Sequence, residues 1–139
     1  MDSEGLNILI VEDSPAVRAV MGMTLKMSKL SNLKLLEAQD GLEGLRLLRR
    51  ERIDVVFTDI SMPRMDGLEM IDRMRADASL RDIPVVVVTY RDGSTGEAAL
   101  QERNLHRVLN KPFKPKEVFD ILEAVLSPTC SGKARLGTN

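Results

Sequence analysis

Val55-Val56-Phe57-Thr58-Asp59-Ile60-Ser61-Met62-Pro63-Arg64-Met65-Asp66-Gly67 is the stretch on which the reading of this chain turns. A short apolar run, β-branched and aromatic, ends on a carboxylate, and a loop punctuated by Pro63 and Gly67 follows at once. Such a run reads as a strand covered on both faces, as in a parallel sheet. The proline and glycine stop it and turn the chain. Asp59 is thereby placed at the carboxyl end of a central strand, where open α/β sheets bind their ligands. A carboxylate there is costly to bury unless another group neutralises it.

Working outward, the same grammar repeats. Leu6 to Val11 is an apolar run closed by Glu12-Asp13, and Ser14-Pro15 then supplies a helix N-cap and a proline at the first helical position. Val17, Val20, Met21 and Leu25 follow at helical spacing, and Met21, Met23 and Met27 read as core or edge filler. Leu33 to Ala38 is a further strand. Asp40-Gly41 turns into a helix carrying Leu42, Leu45 and Leu48, which ends in the basic, solvated run Arg49-Arg50-Glu51-Arg52. Ile53 to Asp59 is the opening strand, and Leu68 to Met74 a helix. Ile83 to Thr89, with its four consecutive valines, is the most strand-like segment. Ser94 to Arg103 reads as a less apolar helix, Arg107 to Asn110 as a short strand, and Pro115 opens a last helix with Val118, Ile121, Leu122 and Val125 as its stripe. Strands alternating with helices make an α/β, doubly wound, five-stranded parallel sheet.

The totals suit one domain. With 139 residues and 43% hydrophobic content there is enough material for a core of its own. A formal charge of −1 offers no basic surplus, so no nucleic-acid partner is expected. No apolar stretch is long enough to span a bilayer, and the start lacks the pattern of an export signal, so no membrane partner and a cytoplasmic location are expected. The lone cysteine, Cys130, cannot form an internal disulfide. Residues 1–5 are expected to be an N-terminal extension, 6–126 the domain, and 127–139 a small, polar, disordered tail.

Four strands thus end in polar groups: Glu12-Asp13, Asp59, Thr89 and Lys111. Parallel strands share an end, so these side chains converge on one edge. Each alone is a weak signal; together they form a constellation. Two carboxylates 4 Å apart repel by about 4 kcal/mol at an effective dielectric near 20. Lys111 offsets part of that. A hard divalent cation with oxygen ligands offsets more, and no His/Cys cluster suits a softer metal. The residues point to a Mg²⁺ site made of Asp13, Asp59 and a backbone carbonyl near Ser61, with Glu12 acting through water. A carboxylate oxygen can be the covalent nucleophile of phosphoryl transfer. Asp59 would then take the phosphoryl group, Lys111 would pair with its oxygens, and the Thr89 hydroxyl would donate to another. No nucleotide-cradling glycine loop is present.

Val11-Glu12-Asp13-Ser14, the Asp59-to-Gly67 segment, Val87-Val88-Thr89 and Lys111-Pro112-Phe113 resemble the receiver domains of bacterial two-component response regulators, over about residues 6–126. The resemblance implies a flavodoxin-like (CheY-like) strand order of 2-1-3-4-5. It also implies phosphorylation of Asp59 by a histidine kinase or phosphotransfer protein, with Mg²⁺ held at Glu12, Asp13 and Asp59. The modification would change the face made by the fourth helix, last strand and fifth helix, and so the binding of a protein output partner of unknown identity. Such a protein is a switch that catalyses its own phosphorylation and dephosphorylation, not an enzyme acting on a metabolite. A phosphorelay intermediate, or a receiver cut from a larger protein, is the alternative.

Four residues, at three places, depart from the family pattern. Val108 stands where an aromatic is usual, Tyr90 where a small residue follows the threonine, and Asn104-Leu105 where Gly-Ala is usual. Tyr90 has two readings: a packed or surface aromatic that narrows access to the phosphoryl group, or a replacement switch that moves with Thr89. Ser61 and Arg91, each two residues beyond a site residue, would shape the path of attacking water; Arg91 would pair with the phosphoryl oxygens or form a lid, or equally stand as a solvated side chain. A phosphatase of the haloacid dehalogenase type would need an acid where Ser61 stands. His106 lacks a second base or metal partner and has no expected role.

Overall fold

The computed structural model describes residues 5–30, 32–90, 97–105 and 107–127. Along the chain run β1 (Leu6–Val11), α1 (Pro15–Lys26), β2 (Leu33–Ala38), α2 (Gly41–Arg50), β3 (Val55–Thr58), α3 (Gly67–Arg75), β4 (Val85–Tyr90), α4 (Glu97–Glu102), β5 (Val108–Lys111) and α5 (Pro115–Leu126). All strand pairs are parallel, and the sheet order is β2-β1-β3-β4-β5, the flavodoxin-like order.

Alternation along the strands sends side chains to two cores. On one face Leu9, Val11, Val56, Val85 and Val87 pack under α2, α3 and α4, against Leu45, Leu48, Met70, Ile71, Met74 and Leu100. On the other, Ile8, Ile10, Val55, Phe57, Val86, Val88 and Leu109 pack under α1 and α5, against Met21, Leu25, Val118, Leu122 and Val125. β3 is buried at every position, as its unbroken apolar run requires. Each fully buried side chain of this size contributes about 1.5–3 kcal/mol.

Local chemistry sets the element ends. The Ser14 hydroxyl accepts the Val17 N–H at 3.2 Å and Pro15 opens α1. Asp40 and Asp66 cap α2 and α3 by accepting the N–H groups of Glu43 and Glu69. Glu117 reaches back to the Lys114 N–H at the start of α5. The strand bounds differ from the sequence expectation in ways that follow from hydrogen bonding. β4 begins at Val85 and not Ile83, because Pro84 has no N–H for the ladder. β3 begins at Val55 and ends at Thr58, leaving Asp59 just beyond it. β5 reaches Lys111, which pairs with Tyr90 in the ladder. On α1 the buried stripe is Met21, Thr24 and Leu25, whereas Val20, Met23 and Met27 are exposed; two of the three methionines are not core. Of the expected helix over 94–103, Glu97–Glu102 is seen, and its first residues lie outside the described ones.

Candidate functional site

The sheet order reverses between β1 and β3, and the crevice at that point lies beyond their carboxyl ends. The Glu12 N–H donates to the Ala38 carbonyl and the Asp59 N–H to the Val11 carbonyl, both at 2.9 Å. The first residues after these strands are therefore still held by their neighbours, and their carboxylates stand at fixed places on the rim.

Lys111 comes in from the end of β5. Its Nζ donates to Glu12 Oε1 and to Asp59 Oδ2, each at 3.0 Å. The pairing joins residues 99 and 52 positions apart and is almost out of solvent on the Lys111 and Glu12 side. Glu12 Oε2 accepts the Ser14 N–H, and Asp59 Oδ1 accepts the Ile60 N–H at 2.7 Å. Burial raises the Glu12 pKa, and the Lys111 and Ser14 hydrogen bonds counter this only in part. For Lys111, burial favours loss of the proton, but the hydrogen bonds to Glu12 and Asp59 outweigh it and the pKa is raised. The ammonium is thus a fixed positive charge.

Asp13 completes the acidic group. Ligand oxygens of Glu12, Asp13 and Asp59 lie within 4.8 Å of one another, with Glu12 buried, Asp59 half-buried and Asp13 exposed. An all-oxygen donor set with one open side fits a hard divalent cation that keeps part of its water, and does not fit a thiophilic metal. Ser61, two residues past Asp59, is exposed in the loop that follows. Thr89 is buried at the end of β4, opposite Asn110 in the ladder. By alternation it stands on the α2/α3/α4 face, while Tyr90 stands on the α1/α5 face. Val108 is partly buried against the α2/α3/α4 core. Arg91, His106 and Cys130 lie outside the described residues.

Two arrangements escaped the sequence reading. Arg64, in the loop after β3, grips Asp40 with Nε at 2.7 Å and a terminal nitrogen at 2.5 Å. The Gly41 N–H also donates to the Met65 carbonyl at 2.9 Å, so the Asp59 loop is tied to the start of α2. The second is the Tyr90 ring, whose centroid lies 4.9 Å from Lys111 Nζ. Arg64 carried no signal, since its partner is 24 residues away. The Tyr90–Lys111 contact was in principle readable from strand pairing once β4 and β5 were set side by side.

Fold and site together define a doubly wound α/β protein with a lysine-bridged acidic cluster at its switch edge. The sequence matches the response regulator receiver domain family over residues 8–123, and the chain belongs to that family. It is 33% identical over 129 residues to a chemotaxis protein CheY homolog of Campylobacter jejuni, covering 92% of this chain and 97% of that one. It is 36% identical over 124 residues to the response regulator MprA of a Mycobacterium species, covering 89% of this chain and 52% of that longer protein. Among solved structures, chemotaxis protein CheY4 of Vibrio cholerae superposes with a TM-score of 0.78 at 26% identity, over 88% of this chain and all of that one. The receiver domain of a sensor histidine kinase from Pseudomonas aeruginosa, which has a magnesium ion coordinated in its active-site cleft, superposes with a TM-score of 0.75 at 27% identity, over 86% and 96%. The chain is therefore a signalling domain and not a classical enzyme.

Proposed function

We propose that this chain is a phosphorylation-driven switch: Asp59 accepts a phosphoryl group from a histidine kinase or phosphotransfer protein, and the modified domain presents a changed surface to a protein partner. The observation that carries the reading is the placement of Asp59 against Lys111 beside an open carboxylate cluster. In the transfer, an Asp59 oxygen forms a P–O bond as the P–N bond of the donor's phosphohistidine breaks, and the electron pair leaves on the imidazole nitrogen. Lys111, held protonated, stands ready to exchange its Asp59 oxygen for a phosphoryl oxygen. The Thr89 hydroxyl, at the end of the neighbouring strand, is the donor for a second. Asp13, Asp59 and the Ser61 carbonyl are the groups to hold Mg²⁺, with Glu12, the most buried of the three acids and paired with Lys111, engaged through water. Bound there, the ion would supply positive charge to the transferring group.

A cytoplasmic location without nucleic-acid or membrane contact fits the net charge of −1 and the lack, among the described residues, of any helix long and apolar enough to cross a bilayer. A second reading has a specific support: the structural neighbours include receiver domains of histidine kinases. A domain of that kind could serve as an intermediate that passes its phosphoryl group to a histidine phosphotransfer protein.

The test is chemical. Acetyl phosphate and Mg²⁺ should add one phosphoryl group, seen by intact-protein mass spectrometry, and hydroxylamine should remove it as expected of an acyl phosphate. Asp59→Asn, or omission of Mg²⁺, should abolish the addition. A wild-type protein that stays unlabelled in ample Mg²⁺ overturns the reading. Transfer from the labelled protein to a phosphotransfer domain separates the relay from the output switch.

A further inference from the structure

An ammonium group has three N–H donors. Two of those on Lys111 go to Glu12 Oε1 and Asp59 Oδ2. The Tyr90 ring also stands beside it, with the centroid 4.9 Å away, inside the range at which a ring face attracts a cation. Strand pairing builds this contact: Tyr90 and Lys111 are opposite each other in the β4–β5 ladder. Adjacent strands lie about 4.8 Å apart, so the two side chains leave the sheet together on the α1/α5 face.

Exposure separates the two partners. Tyr90 is 55% exposed, whereas the residue beneath it, Lys111, is 8% exposed. One side of the ring therefore rests on the cation while much of the rest meets solvent. Next to it a cleft of about 250 Å³, lined by Val17, Val20, Pro112 and Phe113 along with Tyr90 and Lys111, opens between α1 and the loop after β5. Apart from Tyr90 and Lys111, the side chains of that lining are apolar.

We propose that Tyr90 is a positioning residue for Lys111: its ring face caps the ammonium, excludes water from it and keeps it aimed at the Asp59 oxygen that takes the phosphoryl group. This rests on the assignment of Asp59 as phosphoacceptor and adds to it a requirement for an aromatic at position 90.

The ring and the bulk can be separated. Tyr90→Phe keeps the π face and removes the hydroxyl; Tyr90→Leu keeps apolar volume and removes the face. With acetyl phosphate and Mg²⁺, the Phe variant should label Asp59 within about twofold of wild type, and the Leu variant about three- to tenfold more slowly, the range a cation–π contact allows. Thermal unfolding of both verifies that they fold. A Leu variant as fast as wild type overturns the proposal, since the ring would act by bulk alone. Phe and Leu variants that are equally slow also overturn it, since the hydroxyl and not the face would matter. A second readout needs no phosphoryl transfer. The chain has one tyrosine and no tryptophan, so tyrosine emission reports on this ring alone. Lys111→Met, or Lys111→Gln should the first not fold, must alter that emission; an unchanged spectrum sinks the contact. If wild type takes no phosphoryl group, the assignment of Asp59 falls, and the emission arm alone decides whether the ring holds the ammonium.

Discussion

Gly67 has no room for a side chain. A Cβ there would overlap the Asp59 carbonyl oxygen and stand 3.1 Å from both the Asp59 carbonyl carbon and the Ile60 Cα. The start of α3 is drawn this close by the bond from the Gly67 N–H to the Ile60 carbonyl, at 2.8 Å. Backbone cannot yield as a flexible side chain can, so Gly67→Ala should cost about 1–3 kcal/mol in urea unfolding. It should also slow labelling of Asp59, because the residue displaced is the acceptor itself. Lys111 gives the complementary case. Lys111→Met removes the cation between a buried Glu12 and a half-buried Asp59, and breaking a buried pair from one side costs on the order of 3 kcal/mol. Added Mg²⁺ should return part of that loss and should do less for wild type, as compared by urea midpoints. At this scale the meeting of the acids and the lysine at one edge was legible, because charged groups that close apolar runs stand out from the residues before them. Tyr90 declared itself only as an oddity, since a residue's neighbour across a strand cannot be read without the register.

Among the elements, the loop from Asp59 to Gly67 is held from outside itself by Asp40 and Gly41. Arg64 adopts a left-handed conformation, φ 66°, which costs a residue with a Cβ about 1–2 kcal/mol. Its pairing with Asp40, a buried carboxylate that also caps α2, offsets the strain. Two variants separate these terms. Arg64→Ala loses the pair and keeps the strain; Arg64→Gly loses both. Both should fall below wild type in urea unfolding, with Gly above Ala by about 1 kcal/mol. Asp40 also predicts a pH effect. Burial would raise its pKa, but hydrogen bonds from Glu43 and Arg64 together outweigh this and hold it below its ordinary 3.8. A group depressed on folding lends stability that is complete above its unfolded pKa and is lost as pH falls through the folded value. The stability gap between wild type and Asp40→Asn should therefore be widest near neutrality and shrink below about pH 3.8, as followed by urea unfolding across pH; a gap that grows on acidification contradicts the assignment. Helix starts were readable from Ser14-Pro15 and from Pro115, because caps and N1 prolines are local. The Arg64–Asp40 tie was not, because it joins two turns that only the folded sheet brings together.

For the whole molecule, the order β2-β1-β3-β4-β5 puts the crevice between the ends of the two strands that carry the acids, while the lysine arrives from the far edge. That order came from the resemblance: apolar periodicity gives five strands and their shared direction, but not which strand sits beside which. Because the site gathers the ends of β1, β3 and β5, a ligand that completes it should stabilise all of them at once. Beryllofluoride, which mimics a phosphoryl group on a carboxylate, is such a ligand in the presence of Mg²⁺. A ligand bound only by the folded state and present at a hundred times its dissociation constant adds about 2.7 kcal/mol. For a chain of 139 residues that corresponds to a rise in Tm of about 8–10 °C. Mg²⁺ alone should raise Tm by less, since it relieves the repulsion among Glu12, Asp13 and Asp59 without bridging to Lys111. Asp59→Ala should abolish the beryllofluoride increment even if the variant is itself more stable, because the increment measures the acceptor oxygen and not the relief of crowded charge. Calorimetry of wild type and Asp59→Ala, each with Mg²⁺ and with or without beryllofluoride, makes that distinction; an equal increment in both would place the ligand somewhere other than this crevice.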